Sequence, residues 1–303
     1  LAVQLIYVPL QIQDPSSWRQ KDAVTVKLIH LSDLHFHCLP SGLEEWRGKR
    51  FPGSMNLLLR RSRQHPLKRT RSLVEQAANM DWDHLVISGD LTQLGLESEF
   101  ELARRELEPL LRKPERVSIV PGNHDRYVFE ESGRDGFKRL FEDYYGSGEV
   151  LERDLKNGWG LIGWDSCHPN PWWSASGTVR RSTLNATEEL LQTRMQERPC
   201  VLVNHYPLTF QEGWIPDAQH ELYNLDPVRR WVERHPQIRL YLHGHIHQNW
   251  IHRVKRPEGP DLMLVNSASS SQVLKRGQSS SFHQITIDGE KLEITPVRHR
   301  DDP

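Results

Sequence analysis

Short apolar runs rich in Val, Ile and Leu recur along this chain, and five of them stop at a turn bearing Asp, Asn or His beside Gly or Asn. The runs cover 24–31, 84–88, 116–120, 159–164, 200–204 and 239–242. Their length and composition predict buried strands. Between them lie stretches with helical periodicity at 67–80, 97–111, 135–145, 188–196 and 228–234. Asn185, three residues before Glu188, has the spacing of a capping box at a helix start. Asp226 followed by Pro227 predicts an N-cap and first helical position. Beyond residue 262 only strand patterns remain, at 262–266, 282–287 and 292–297, with an Asp288-Gly289 hairpin turn between the last two. Interleaved βα units followed by a strand-rich end predict an α/β sandwich, sheets covered by helices. No repeat or low-complexity linker divides residues 1–303, which are read as a single domain.

Composition sets limits on function. Ten Trp and a hydrophobic share of 37% support a sizeable core, while a formal net charge of −1 argues against a nucleic-acid binder. Any electrostatic recognition is therefore local. Cys38, Cys167 and Cys200 form no CxxC pair, so neither a disulfide framework nor a zinc ribbon is expected. Residues 1–12 are apolar but shorter than the roughly 20 residues of a membrane-spanning helix. They lack the basic start and cleavage site of a signal peptide. They are read as an edge strand or packed arm, with the stub of a membrane anchor as the alternative.

The chemistry-bearing residues sit just past the strands, where open α/β sheets build their sites. The first run leads into Ser32-Asp33-Leu34-His35, and the second into Gly89-Asp90 with Gly95 beyond. The third leads into Gly122-Asn123-His124-Asp125. Later runs end in Asn204-His205 and in His243-Gly244-His245-Ile246-His247. Imidazole, carboxylate and carboxamide donors without a thiolate suit Mn, Fe, Zn or Mg rather than soft ions. In extended chain, Asp33 and His35 would point to one side, as would His245 and His247. Asp90 has two oxygens with which to bridge two ions. A lone DxH is usually a turn and a lone GNHD an Asn/Gly turn with a surface His; the ordered set is what carries the metal reading. His30, inside a strand, is expected to pack in the core. His37, His65, His84, His220, His235, His252, His283 and His299 lack motif context and are expected to be surface or structural.

In this order, D-x-H, G-D-x-x-x-x-G, G-N-H-D, N-H and G-H-x-H, spanning residues 33 to 247, the motifs resemble those of the calcineurin-like metallophosphoesterases. The resemblance implies a four-layer α/β/β/α sandwich of two mixed sheets. It implies one divalent ion held by Asp33, His35, Asp90 and His247, and a second held by Asp90, Asn123, His205 and His245. By the same resemblance His124 stands over the substrate as general acid or transition-state stabiliser, and Asp125 orients it. Two ions roughly 3.5–4 Å apart activate a shared water and clamp phosphoryl oxygens, and general-acid help contributes about 10²–10⁴ in rate. A binding scaffold on the same fold, as in retromer-type subunits, would be expected to show eroded ligand positions, whereas all seven are intact.

Substrate choice depends on what lies between the motifs. Residues 47–71 carry nine Lys or Arg and no acid, within a basic amphipathic insert at about 42–72. On a helical wheel Met55, Leu58 and Leu59 share a face and Arg60 and Arg61 point away. The segment fits an anionic membrane surface, a clamp on a substrate diphosphate, or simply a solvated basic face. A second insert at about 165–177 holds Trp172 and Trp173 in a Pro-rich loop, with Trp173 a candidate to stack on a base or meet a membrane interface. With the basic stretch, the motifs resemble the GNHD branch of the UDP-2,3-diacylglucosamine pyrophosphatases of lipid A assembly. That resemblance implies a nucleotide-diphosphate lipid as partner, manganese as the usual metal, and a cytoplasmic protein peripheral to the inner membrane face. A cyclic-nucleotide or general phosphodiesterase shares all five motifs and stands as the alternative.

Overall fold

The computed structural model describes residues 24–46, 48–57, 62–128, 131–214, 220–273 and 281–300. The apolar N-terminal segment, Leu58, Leu59, Arg60 and Arg61 lie outside them. In chain order the strands are β1 (Val26–Leu31), β2 (His84–Ile87), β3 (Val117–Ile119), β4 (Leu151–Asp154), β5 (Gly160–Gly163), β6 (Cys200–Val203), β7 (Ile238–His243), β8 (Trp250–Val254), β9 (Leu262–Asn266), β10 (Ser281–Asp288) and β11 (Lys291–Arg298). The helices are α1 (Arg50–Asn56), α2 (Ser62–Gln64), α3 (Leu67–Ala78), α4 (Glu97–Glu106), α5 (Glu131–Tyr145), α6 (Arg181–Gln192) and α7 (Leu225–Glu233).

The strands form two mixed sheets, ordered β11-β10-β1-β2-β3 and β4-β5-β6-β7-β9-β8. Within the first, β1, β2 and β3 are parallel and the β10–β11 hairpin adds antiparallel to β1. Within the second, β5, β6, β7 and β9 are parallel and β4 and β8 are antiparallel edges. Strand periodicity builds the layers. Val26 and Leu28 of β1 face the other sheet and pack with Val201, Val203, Leu240 and Leu242. Their neighbours Ile29 and Leu31 face outward, onto Leu73 and Ala77 of α3 and Phe100 of α4. On the far side Leu202 and Ile238 pack against Leu191 of α6 and Val228 and Val232 of α7. Helices thus cover both outer faces, the four-layer sandwich expected from the motifs. The four residues of β2 and of β6 are buried throughout, as strands covered on both faces must be.

Two strands escape the apolar pattern and two expected helix starts shift. β4 and β8 carry no buried apolar run: Leu151 is the buried residue of β4 and none of β8 is buried, so edge pairing rather than hydrophobic pattern makes them strands. Helix α6 begins at Arg181, which places Asn185 inside it rather than at its cap. Helix α7 begins at Leu225, and Asn224 spends its side-chain oxygen on the Val179 amide at 3.2 Å instead of capping. His30 faces the inter-sheet layer, its Nε2 2.8 Å from Ser88 Oγ, and burial holds it well below the ordinary histidine range. Cys38, Cys167 and Cys200 are free thiols.

Candidate metal centre

The parallel strands of both sheets end at one rim, and their loops are stitched together there. Asp33 N–H donates to Gly89 C=O at 3.0 Å, His35 N–H to Asp90 C=O at 3.0 Å, and Phe36 N–H to Leu91 C=O at 2.7 Å. The loops after β1 and β2 therefore travel as a pair beyond their strands. The chain there is not extended. Asp33, His35, Asp90, His245 and His247 have φ of 53°, 49°, 53°, 71° and 50°, so the DxH and HxH pairs converge through left-handed turns rather than by strand alternation. A non-Gly residue pays about 1–3 kcal/mol for such a conformation, a cost typical of functional sites. Glycine spacing permits the approach: a Cβ on Gly122 would collide with the Asp90 amide and carboxylate, and one on Gly244 with Ser32 Oγ and the Asp33 carboxylate.

Two donor clusters result, sharing Asp90. In the first, one ligand atom from each of Asp33, His35, Asp90 and His247 lies within 4.8 Å of all the others. His247 Nε2 is 3.2 Å from both His35 Nε2 and Asp33 Oδ1. In the second, Asp90, His205 and His245 meet the same limit. His205 Nε2 lies 3.1 Å from Asn123 Oδ1, 3.1 Å from His245 Nδ1 and 3.5 Å from Asp90 Oδ2. The outer nitrogens of two rings are fixed by backbone carbonyls, His35 Nδ1 by Thr92 at 3.3 Å and His205 Nδ1 by Ser88 at 2.8 Å. That second layer of contacts is what metal-binding imidazoles use to present their other nitrogen. The donors fit divalent cations. Pairs of ring nitrogens about 3 Å apart share at most one proton, and among the described residues buried Asp33 Oδ1 accepts no hydrogen bond although His247 Nε2 approaches it; a cation satisfies both.

Charge couples the clusters. Burial opposes ionisation of Asp90, yet His205 and His124 together hold its carboxyl well below the usual range. Burial works against the His205 imidazolium, but the Asp90 carboxylate lifts that ring to about 9. A bound cation would replace this proton and return His205 to its neutral donor form.

His124 stands at the rim of this floor without joining either cluster. Its backbone N–H donates to Asp90 Oδ1 at 2.8 Å, and Nδ1 lies 2.6 Å from the Gln93 carbonyl. That carbonyl accepts the Nδ1 proton and so orients the ring. Asp125, expected to orient His124, does something else. Its carboxylate accepts the N–H groups of Leu91, Thr92 and Gly122 at 3.1, 2.9 and 2.9 Å and the Thr92 hydroxyl at 2.8 Å. It braces the loop that presents Asp90, while the His124 ring is held by the Gln93 carbonyl of the same loop. Burial, with Asp90 nearby, pushes Asp125 up to about 6 despite these donors.

Above the floor opens a cleft of about 510 Å³, lined by Lys49, Asn56, Tyr127, His124, Trp172 and His220 among others. Trp172, 74% exposed, lines it; Trp173, the aromatic expected to bind substrate, packs edge-to-face on Trp172 and does not line the cleft. Arg60 and Arg61 lie outside the described residues. The rest of the basic insert divides its charges. Arg50 is buried against the carbonyls of Leu94 and Gly95, Arg69 is buried, and Arg71 pairs with Glu106 at 2.8 Å. Lys49 sits 4.5 Å over the Tyr127 ring at the cleft. His65 and His220, expected to be surface or structural, are close to the site: His65 is buried beside His35, and His220 lines the cleft. Neither follows a strand, so the signal that revealed the other residues does not reach them. The serines of 267–271 after β9 were equally silent; Ser269 donates to the Asp33 carbonyl and Ser271 to that of Leu34.

Comparison with known proteins agrees with this geometry. The chain is 24% identical over 237 residues to a 3',5'-cyclic adenosine monophosphate phosphodiesterase of Vibrio vulnificus, covering 76% of each chain. It is 24% identical over 172 residues to a 3',5'-cyclic-nucleotide phosphodiesterase of a Nostoc species, covering 55% of this chain and 57% of that protein. A dimetal phosphatase of Danio rerio shares the fold with a TM-score of 0.59 at 13% identity, covering 92% of this chain and 98% of that one. The sequence profile described as calcineurin-like phosphoesterase matches residues 26–249. The chain belongs to the calcineurin-like phosphoesterase family and is a hydrolase of phosphoester bonds.

Proposed function

We propose that this protein is a cyclic-nucleotide phosphodiesterase whose ions are held by Asp33, His35, Asp90, Asn123, His205, His245 and His247. The observation that carries the reading is the cleft: about 510 Å³, floored by both donor clusters and lined mainly by polar side chains, with Tyr127 and Trp172 as flat apolar surfaces. That volume falls in the range of small-molecule sites. The resemblance to phosphodiesterases named for cyclic nucleotides supports the same substrate class.

A pair of divalent ions in these clusters supplies Lewis acidity toward the phosphoryl oxygens and activates water. The protein's own groups do the rest. Lys49 brings positive charge to the phosphate side of the cleft, and Trp172 and Tyr127 offer faces to a base. Water adds to phosphorus, one P–O ester bond breaks, and the departing oxygen takes a proton to give a nucleoside monophosphate. His124, whose Nδ1 lies 2.6 Å from the Gln93 carbonyl, would deliver that proton from Nε2 as an imidazolium.

The lipid-linked diphosphate reading finds less support. Two arginines of the basic insert, Arg50 and Arg69, are buried, and the described cleft lining is mainly polar. The test offers cyclic AMP and UDP-2,3-diacylglucosamine to one manganese-loaded preparation. Rapid hydrolysis of cyclic AMP is expected. Cleavage of the lipid with cyclic AMP untouched would overturn the proposal in favour of lipid A assembly. Cleavage of a small chromogenic diester alone would overturn it in favour of a different phosphodiester.

A further inference from the structure

His65 enters the site from the basic insert, at the turn joining α2 and α3, and is 2% exposed. Its ring lies edge-on to His35 with centroids 4.7 Å apart, and 6.0 Å from the ring of His247. One ring nitrogen from each of His35, His65 and His247 lies within 4.8 Å of the other two.

The tautomer of His65 can be read from its neighbours. Nδ1 lies 3.0 Å from Ser271 Oγ and 3.3 Å from Ser269 Oγ. Each hydroxyl has one proton, and each has a backbone acceptor for it: Ser269 donates to the Asp33 carbonyl at 2.7 Å, Ser271 to that of Leu34 at 2.8 Å. Both hydroxyl oxygens are therefore acceptors toward His65, so Nδ1 carries a ring proton, and in the neutral imidazole Nε2 is the nitrogen with the lone pair. At His35 and His205 too, Nδ1 lies against an oxygen, and there Nε2 faces the cluster. An outer oxygen fixing the tautomer is the usual support of a metal-bound imidazole.

We propose that His65 supplies a further imidazole nitrogen to the divalent cation of Asp33, His35, Asp90 and His247. The proposal rests on the two-ion reading of the site and adds a donor from outside its five motifs. Two consequences follow. A third nitrogen shifts that position toward Zn, Fe or Mn and away from Mg, which prefers oxygen. It also ties the insert bearing Lys49 and Asn56, both lining the cleft, to the occupancy of the centre.

The test loads the full chain with the spin-half isotope of cadmium and records scalar couplings between the metal and histidine ring protons. Couplings of His35, His65 and His247 to one cadmium signal, and of His205 and His245 to the other, are expected. Couplings from His35 and His247 without one from His65 would overturn the proposal and leave the two-ion reading standing. Absence of coupling from His35 and His247 as well would overturn both. As a second measurement, His65→Gln should weaken cadmium binding at that position by about 10-fold or more and leave the other position unchanged. Equal affinity in the variant, or equal loss at both positions, counts against a direct bond.

Discussion

Asp90 is where the two clusters meet, and its burial makes it costly to keep without partners. It takes a donor from the His124 amide and lies against His35 and His205. Asp90→Ala should therefore retain neither ion, measured by elemental analysis after gel filtration; full occupancy in the variant would refute the shared role. His124 differs in kind, since its ring is turned by the Gln93 carbonyl and joins neither cluster. His124→Ala should keep both ions while kcat falls by at least ~10²-fold. A variant that loses metal would show His124 to be a ligand instead. Most of these residues were legible because each follows a strand within a short, chemically unusual string. The misreadings came from side-chain direction: Asp125 stands beside His124 in sequence yet braces Leu91 and Thr92 across the loop.

At the level of elements, the N-terminus of α4 controls the loop that follows Asp90. Glu99, fully buried, accepts the Leu94 and Leu96 amides through Oε2 at 2.7 and 3.2 Å. Burial lifts its carboxyl from an ordinary 4.5 to about 8 against those donors. The folded state then holds a proton that the unfolded chain releases, so this group's contribution is complete below about pH 4.5 and is lost as pH rises through about 8. Glu99→Gln removes that dependence. Its Tm relative to the parent should rise between about pH 5 and about pH 8.5, followed by thermal melts; parallel melting curves at all pH values would show Glu99 to be ionised in the fold. The elements themselves were recovered where apolar runs are buried on both faces, as in β2 and β6. Edge strands β4 and β8 escaped because exposure leaves them no hydrophobic signature.

For the whole molecule, the centre lies between the two sheets. Asp33, Asp90 and Asn123 follow strands of the first, and His205, His245 and His247 follow strands of the second. Ions bound there cross-link the layers and stabilise the folded state by mass action, about 2.7 kcal/mol per site at a hundredfold excess over Kd. Adding manganese should raise Tm and chelation should reverse the gain, while Asp90→Ala should show no manganese-dependent shift. A shift of parental size in that variant would place the stabilising metal elsewhere. Among the described residues no helix is long and apolar enough to cross a membrane.

The sequence by itself determined the layers and the principal donors. Burial on one or both faces is written in apolar spacing, and the loops at parallel strand ends are short enough to keep their residues at the rim. What only the tertiary structure decided is which groups beyond those loops join them. His65 arrives from an insert with no strand before it, and Ser269 and Ser271 set its tautomer from more than 200 positions away in the chain. Trp172 rather than Trp173 lines the cleft because the turn of its loop, not its composition, chooses the ring. Periodicity reports local exposure, whereas these contacts depend on where distant segments cross, and no spacing within one segment records that.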